Sequence, residues 1–233
     1  MSYSDFAAHF PRFLRRHVLH FECAIEDAVE RFAGQIPAGS WVLDAGAGEG
    51  RYAHYFGQQR YCGVDLAVGD IAWNYCGLDA VADLTALPFR ANSFAACVNI
   101  VTLEHIAEPG CALAEMARAL VPGGALLLIA PHEWEVHQAP HDYFRYTRHG
   151  LAYLLERAGF EHFDIQPAGG YFRLLSRRLW NGLQFFSRGW RLVLFLPAAM
   201  LLVPAALVLP FFDFLDSDRN FTVGYVCTAK RQS

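Results

Sequence analysis

The run Asp44-Ala45-Gly46-Ala47-Gly48-Glu49-Gly50 packs three glycines and two carboxylates into seven residues. Without a Cβ, glycine reaches backbone angles closed to other residues, so such a run turns tightly and lets a ligand come close to the main chain. Asp65 stands nineteen residues after Gly46, at the end of the apolar run Tyr61-Cys62-Gly63-Val64. In doubly wound folds an acid at that place accepts hydrogen bonds from a ribose diol. Turn and acid together point to a nucleoside-containing ligand.

Two registers of the glycines compete. Gly48-x-Gly50-x-x-Ala53 fits a dinucleotide fingerprint and keeps a nicotinamide-dependent oxidoreductase in view. The register from Gly46 places Arg51 where that fingerprint has its third glycine.

A second group of chemically able residues lies in Pro131-His132-Glu133-Trp134-Glu135-Val136-His137-Gln138-Ala139-Pro140-His141-Asp142-Tyr143-Phe144-Arg145-Tyr146. Imidazoles change charge near neutral pH and serve as general bases. His132, His137 or His141 is expected near an acceptor, with His141 as the candidate base; His105, after an earlier strand, also borders the pocket or packs beside it. The alternative is that these side chains order a long loop through hydrogen bonds. The spacing His132-Glu133-x-x-x-His137 is not the HExxH that sets two histidines on one helical face, so no metal is expected.

The elements that must position these residues are legible as alternating apolar runs and amphipathic stretches. Helical periodicity from about Arg16 to Phe32 ends at Gly34 and Pro37. Strands are expected at Trp41–Asp44, Tyr61–Asp65, about Phe94–Val101, Ala125–Ala130, about His162–Gln166 and Phe221–Ala229. Helices are expected at about Arg51–Gln58, from Pro109 to Leu120 and from a Thr147 cap to about Ala158, with Gly159 ending the last. A helix after the glycine run would aim free amides at its contents. Between Asp65 and Ala82 the chain is too short and turn-rich for a full crossover helix. This alternation predicts an α/β fold with a mostly parallel sheet covered on both faces.

These motifs in this order resemble class I S-adenosylmethionine-dependent methyltransferases, in the branch similar to the UbiE or "methyltransferase 11" group. The resemblance rests on Val42–Gly50, Gly63-Val64-Asp65-Leu66, Ala82-Asp83-Leu84-Thr85-Ala86-Leu87-Pro88-Phe89, Ser93-Phe94, Leu103-Glu104-His105-Ile106, Leu120-Val121-Pro122-Gly123-Gly124 and Leu155-Glu156-Arg157-Ala158-Gly159-Phe160. It covers roughly residues 40 to 165, about half the chain. It implies a Rossmann-like three-layer sandwich with seven strands, the last antiparallel, and S-adenosyl-L-methionine as cofactor. It also implies roles. The turn Gly46-Ala47-Gly48-Glu49-Gly50, entered through Ala45, would hold the methionine part, with Asp44 on its ammonium. Asp65 would bind the ribose hydroxyls and Leu66 would pack on adenine. Asp83 and Leu84 would meet the adenine edge, and Asn99 and Ile100 would border the reactive methyl group. Ala95 stands where the group usually has a structural aspartate, and the stretch from Asp65 to Asp83 is short for the family. The loop His141-Asp142-Tyr143-Phe144-Arg145-Tyr146 resembles a signature of one subgroup.

Composition narrows partners. Charged residues are 18% of the chain, against about 25% in ordinary domains. The net charge of -4 offers no global basic field, so nucleic acid is not an expected partner. Six cysteines form no CxxC pair, and a reducing cytoplasm is the expected setting. One domain, 1–233, is expected, with a helical cap over 1–38 and an apolar insertion at about 171–220. Within the insertion, Leu192 to Phe212 is twenty-one residues without a charge, interrupted by Pro197, Pro204 and Pro210, while Arg173, Arg177, Arg178, Arg188 and Arg191 precede it. Its length suits a membrane span, but a final strand must return to the sheet and the prolines should break a continuous helix. The expectation is an interfacial or re-entrant hairpin, with 173–212 against the inner face of a membrane and the acceptor small or lipid-like. A soluble lid, a homodimer surface and a non-catalytic membrane scaffold are the competing readings.

Overall fold

The computed structural model describes residues 12–69 and 72–233; the first part of the expected cap, residues 1–11, lies outside them. The described residues divide into two compact units, one within 25–166 and 224–233 and one within 12–24 and 167–223. Helices α1 (Arg12–Val18) and α2 (His20–Gln35) open the described chain.

The larger unit is a seven-stranded sheet: β1 Trp41–Ala45, β2 Arg60–Asp65, β3 Ala80–Val81, β4 Phe94–Ile100, β5 Leu120–Pro131, β6 Phe160–Pro167 and β7 Gly224–Arg231. The order is β3-β2-β1-β4-β5-β7-β6. Strands β1 to β5 pair in parallel and β7 runs antiparallel to β5. This is the Rossmann-like α/β architecture expected. Chain order reverses at β1 and β4, and ligands of open α/β sheets bind at such a switch, beyond the carboxyl ends of the strands. The central strands are buried on both faces, as continuous apolar runs require. Leu43, Val64, Cys97, Leu126 and Leu128 share one core with Leu113 and Met116 of α3 (Pro109–Ala119) and Leu151 and Leu155 of α4 (Arg148–Arg157). Pro109 opens α3, and the Thr147 hydroxyl accepts from the Gly150 amide at 3.0 Å to cap α4.

The helix expected over Arg51–Gln58 does not form. A single 3₁₀ turn, Ala53–Phe56, takes its place and ends at Gly57. Tyr52, His54, Tyr55 and Phe56 are poor helix formers and the segment is barely two turns long, too short for a helix to hold itself. No full helix lies between β2 and β3 among the described residues, where only a turn at Tyr75–Gly77 occurs.

In the smaller unit, α5 (Tyr171–Gly182) and α6 (Leu192–Val208) form an antiparallel pair. Ser176 donates to the carbonyl of Ala206 at 2.6 Å, and Gly182 faces Leu202. The first amides of α5 are capped from a distance: Asp213 accepts from Gly170 and Arg173, and Asp216 from Tyr171 at 2.8 Å. The prolines do not break α6, a correction to the sequence reading. Helical backbone continues from Gly189 to Leu215, with Pro197 and Pro204 inside it. Each proline removes one amide, leaving the carbonyls of Val193 and Met200 without their helical donor, and the rest of the ladder holds. By length and composition this helix could cross a membrane. Val193 and Leu201 are each 73% exposed and Met200 71%.

Candidate active site

The glycine turn leaves β1 with Gly46, Gly48 and Gly50 all at positive φ, +96°, +54° and +72°. An added Cβ on Gly46 would collide with Thr102 Cγ2, whereas one on Gly50 would meet nothing within 4 Å among the described residues. Gly46 and Ala47 both donate to the carbonyl of Val64 on β2, at 2.7 and 3.0 Å. Gly48 donates to Asp65 Oδ2 at 2.9 Å, and Ala67 donates to Asp65 Oδ1 at 2.8 Å. The turn and the acid therefore meet in one place. With no α-helix behind the turn, its amides are held by these bonds rather than by a helix terminus.

Asp44 is buried, and its Oδ2 accepts from the Tyr61 hydroxyl at 2.7 Å. Burial, only partly offset by that hydrogen bond, pushes its carboxyl up to about 7. A cation beside it would reverse much of that shift. Asp65 is a four-site acceptor with two sites taken by amides, so two remain for a diol. Leu66 is 48% exposed next to it. Trp73 lies over Gly48, where an added Cβ would approach its ring to 3.3 Å. An open backbone at Gly50, a buried acid suited to a cation and a half-satisfied acceptor fit an adenosyl amino acid.

The remaining sequence candidates fall in two groups. Ala45, Ala47, Leu84 and Ile100 are buried, and Asp83 is exposed, its Oδ1 accepting from the amide and hydroxyl of Thr85, both at 2.8 Å. Leu84 contributes its side chain to the core, so only its backbone could meet an adenine edge. Asn99 is fully buried and donates to the carbonyl of Ala45 at 2.6 Å, tying β4 to the start of the turn; its Oδ1 has no partner among the described residues. Thr102 adds a bond to the carbonyl of Gly46 at 3.2 Å.

Beyond Thr102 the turn Leu103–His105 carries the buried Glu104, and the long loop folds back on it. Tyr143 donates its amide to the carbonyl of Glu104 at 2.9 Å, and the Tyr146 hydroxyl donates to that of Leu103 at 2.9 Å. Arg145 grips Asp142 through both carboxylate oxygens, at 2.6 and 2.8 Å, which holds that carboxyl at about 2. Ordering the loop is thus the role of Asp142 and Arg145. The histidines separate. His132 sits against the carbonyl of Tyr146 at 2.8 Å, and His141 is exposed beside the Tyr143 hydroxyl at 3.2 Å. His105 and His137 come together, Nε2 to Nε2, at 3.1 Å, with Glu104 Oε1 at 3.7 and 3.9 Å from them. Both carboxyl oxygens of Glu104 are buried without a hydrogen-bond partner among the described residues, and burial raises that carboxyl to about 8. Sequence reasoning missed Glu104, whose one signal is a carboxyl beside His105 between the apolar Leu103 and Ile106.

Residues 43–128 match the family described as a methyltransferase domain. The tRNA (carboxymethyluridine(34)-5-O)-methyltransferase alkbh8 of Xenopus tropicalis is 30% identical over 159 residues, which are 66% of this chain and 23% of that protein. The human probable tRNA methyltransferase 9B is 33% identical over 115 residues, 47% of this chain and 25% of that protein. The chain thus spans about a quarter of these curated relatives. Among solved structures, the Burkholderia thailandensis 1,6-didemethyltoxoflavin-N1-methyltransferase with bound S-adenosylhomocysteine superposes with a TM-score of 0.58 at 21% identity, covering 99% of this chain and 87% of that one.

Proposed function

We propose, from the methyltransferase domain that residues 43–128 carry, that the chain is an S-adenosylmethionine-dependent methyltransferase acting on a small or lipid-like acceptor at a membrane surface. The observation that supports it most is the bond from the Gly48 amide to Asp65, which joins the glycine turn to the acid in a single seat. When bound, the cofactor supplies an electrophilic methyl group on a sulfonium, and the protein's part is alignment and exclusion of water. The glycine turn would hold its methionine end, Asp44 its ammonium and Asp65 the ribose hydroxyls. Leu66, Asp83 and the Leu84 backbone would border adenine, with Asn99 and Ile100 toward the methyl group. A hydroxyl acceptor needs a general base. We assign that role to the exposed His141, while His132 and His105 are more enclosed.

The lipid-like acceptor and the membrane contact, which would place the chain on the cytoplasmic face, are supported by the exposed apolar α6. Trp190, 76% exposed between the exposed Arg188 and Arg191, is the aromatic and basic pair that suits a headgroup region. Arg173 and Arg177 pair with Asp213 and Glu22 at 3.3 and 2.9 Å, so the basic edge is narrower than five arginines. The tRNA-modifying relatives favour a second reading, an RNA acceptor, against which stands the net charge of -4.

Labelled methyl transfer into fractionated cell extract, wild type against Asp65→Ala, tests the proposal. Label in the lipid fraction, lost in the variant, is the expected result. Label in RNA supports the second reading. Binding of S-adenosylhomocysteine without any transfer supports a scaffold, and binding of a nicotinamide dinucleotide instead overturns the cofactor assignment.

A further inference from the structure

We propose that Glu104, His105 and His137 form a binding site for one divalent transition-metal ion. The three ligand atoms all lie within 4.8 Å of one another. Two ligands about 2.1 Å from a zinc ion at a tetrahedral angle lie about 3.4 Å apart. The observed separations, 3.1, 3.7 and 3.9 Å, bracket that spacing.

Hydrogen bonding on the far side of each ring sharpens the case. The Nδ1 of His105 faces the carbonyl of His141, and the Nδ1 of His137 faces that of Glu135 at 3.0 Å. A carbonyl only accepts, so each Nδ1 carries the proton and each neutral ring turns a lone pair inward at Nε2. Arg145 Nη2 also stands 3.5 Å from the Nδ1 of His137, but it donates over shorter distances to Asp142 and Glu135, at 2.8 and 2.7 Å. Two inward lone pairs 3.1 Å apart repel each other, and beside them lies a fully buried carboxyl group with both oxygens unpartnered among the described residues. Such a buried group is costly to leave unpaired, and its ionised form is unfavourable without a positive partner. A cation at the centre satisfies all three groups. Backbone carbonyls behind both rings fix tautomer and orientation as they do behind metal-bound histidines. Two imidazoles and one carboxylate suit zinc, iron or manganese rather than calcium or magnesium, and leave positions open for water or an acceptor oxygen.

The test is metal content after dialysis of the full chain against EDTA, then Zn²⁺, then metal-free buffer, with Co²⁺ absorption as a second readout. Wild type should retain about one Zn²⁺ per chain and give visible d–d bands with Co²⁺. His137→Ala and Glu104→Gln should each weaken Zn²⁺ binding by more than about 100-fold, above the range that a change behind the ligands produces. Calorimetry with S-adenosylhomocysteine, unchanged in His137→Ala, shows that variant to be folded and keeps this result independent of the methyltransferase reading. Wild type without zinc overturns the site, as does zinc retained equally by both variants; a single proton shared between the rings would then account for the geometry.

Discussion

The amide of Gly48 donates to the carboxylate of Asp65 at 2.9 Å, so the turn after β1 and the acid ending β2 hold each other in place. Removing the acid therefore acts twice, on ligand hydrogen bonds and on the turn. Hydrogen bonds to a charged group contribute about 1.5–3 kcal/mol each. Asp65→Ala should weaken S-adenosylhomocysteine binding by more than about 100-fold by calorimetry, while Asp65→Asn retains part of the affinity. Equal affinity in wild type and Asp65→Ala would remove Asp65 from the cofactor seat.

The glycines of the turn differ in what surrounds them. Gly46→Ala combines a left-handed φ with a collision against Thr102, and should destabilise by about 2–5 kcal/mol in urea titration. Gly50→Ala carries the backbone penalty alone, about 1–2 kcal/mol. The two costs would be equal if Thr102 moved aside freely.

Asp44 makes cofactor affinity depend on pH. Its carboxyl rises from an ordinary value of 3.8 to about 7 in the folded chain, chiefly through burial. Between those values the native state binds more protons than the unfolded one, so the unfolding free energy of the ligand-free chain falls as pH rises. Pairing with an ammonium needs the carboxylate, so affinity for S-adenosylhomocysteine should drop about tenfold from pH 8 to pH 6. Asp44→Asn should flatten both profiles, measured by calorimetry and thermal melts. A wild-type affinity that does not change with pH would take Asp44 off the ammonium.

Arg188 and Arg191 flank the exposed Trp190 at the start of the long apolar helix. Each basic residue near an anionic surface contributes about 1 kcal/mol. Reversing both charges should weaken sedimentation with phosphatidylserine vesicles by more than about 30-fold at low salt. Wild-type chain left in the supernatant would reject lipid contact altogether.

What the sequence disclosed followed from how locally each feature is written. Val42-Leu43, Val64 and Leu126–Ala130 are buried on both faces, and such strands appear as unbroken apolar runs. The absent helix at 51–58 turned on the accumulation of Tyr52, His54, Tyr55 and Phe56, where poor propensity in a short segment outweighed the expectation of a helix after the glycine turn. The unbroken α6 turned on how much of a hydrogen-bond ladder two prolines remove. Least legible was the cluster at Glu104, because His105 and His137 are 32 residues apart and meet only through the return of a loop that Asp142 and Arg145 fasten.

Gly170 and Asp213 touch although 43 residues separate them in the chain. The apolar helix pair therefore departs and returns through one doorway, closed by a carboxylate. Lengthening or trimming what lies beyond that doorway changes the loop-closure free energy only slowly, about 0.6 kcal/mol per doubling. Changes of length between Gly170 and Asp213 are therefore cheap in chain closure, and their main cost falls on the packing of the apolar pair itself.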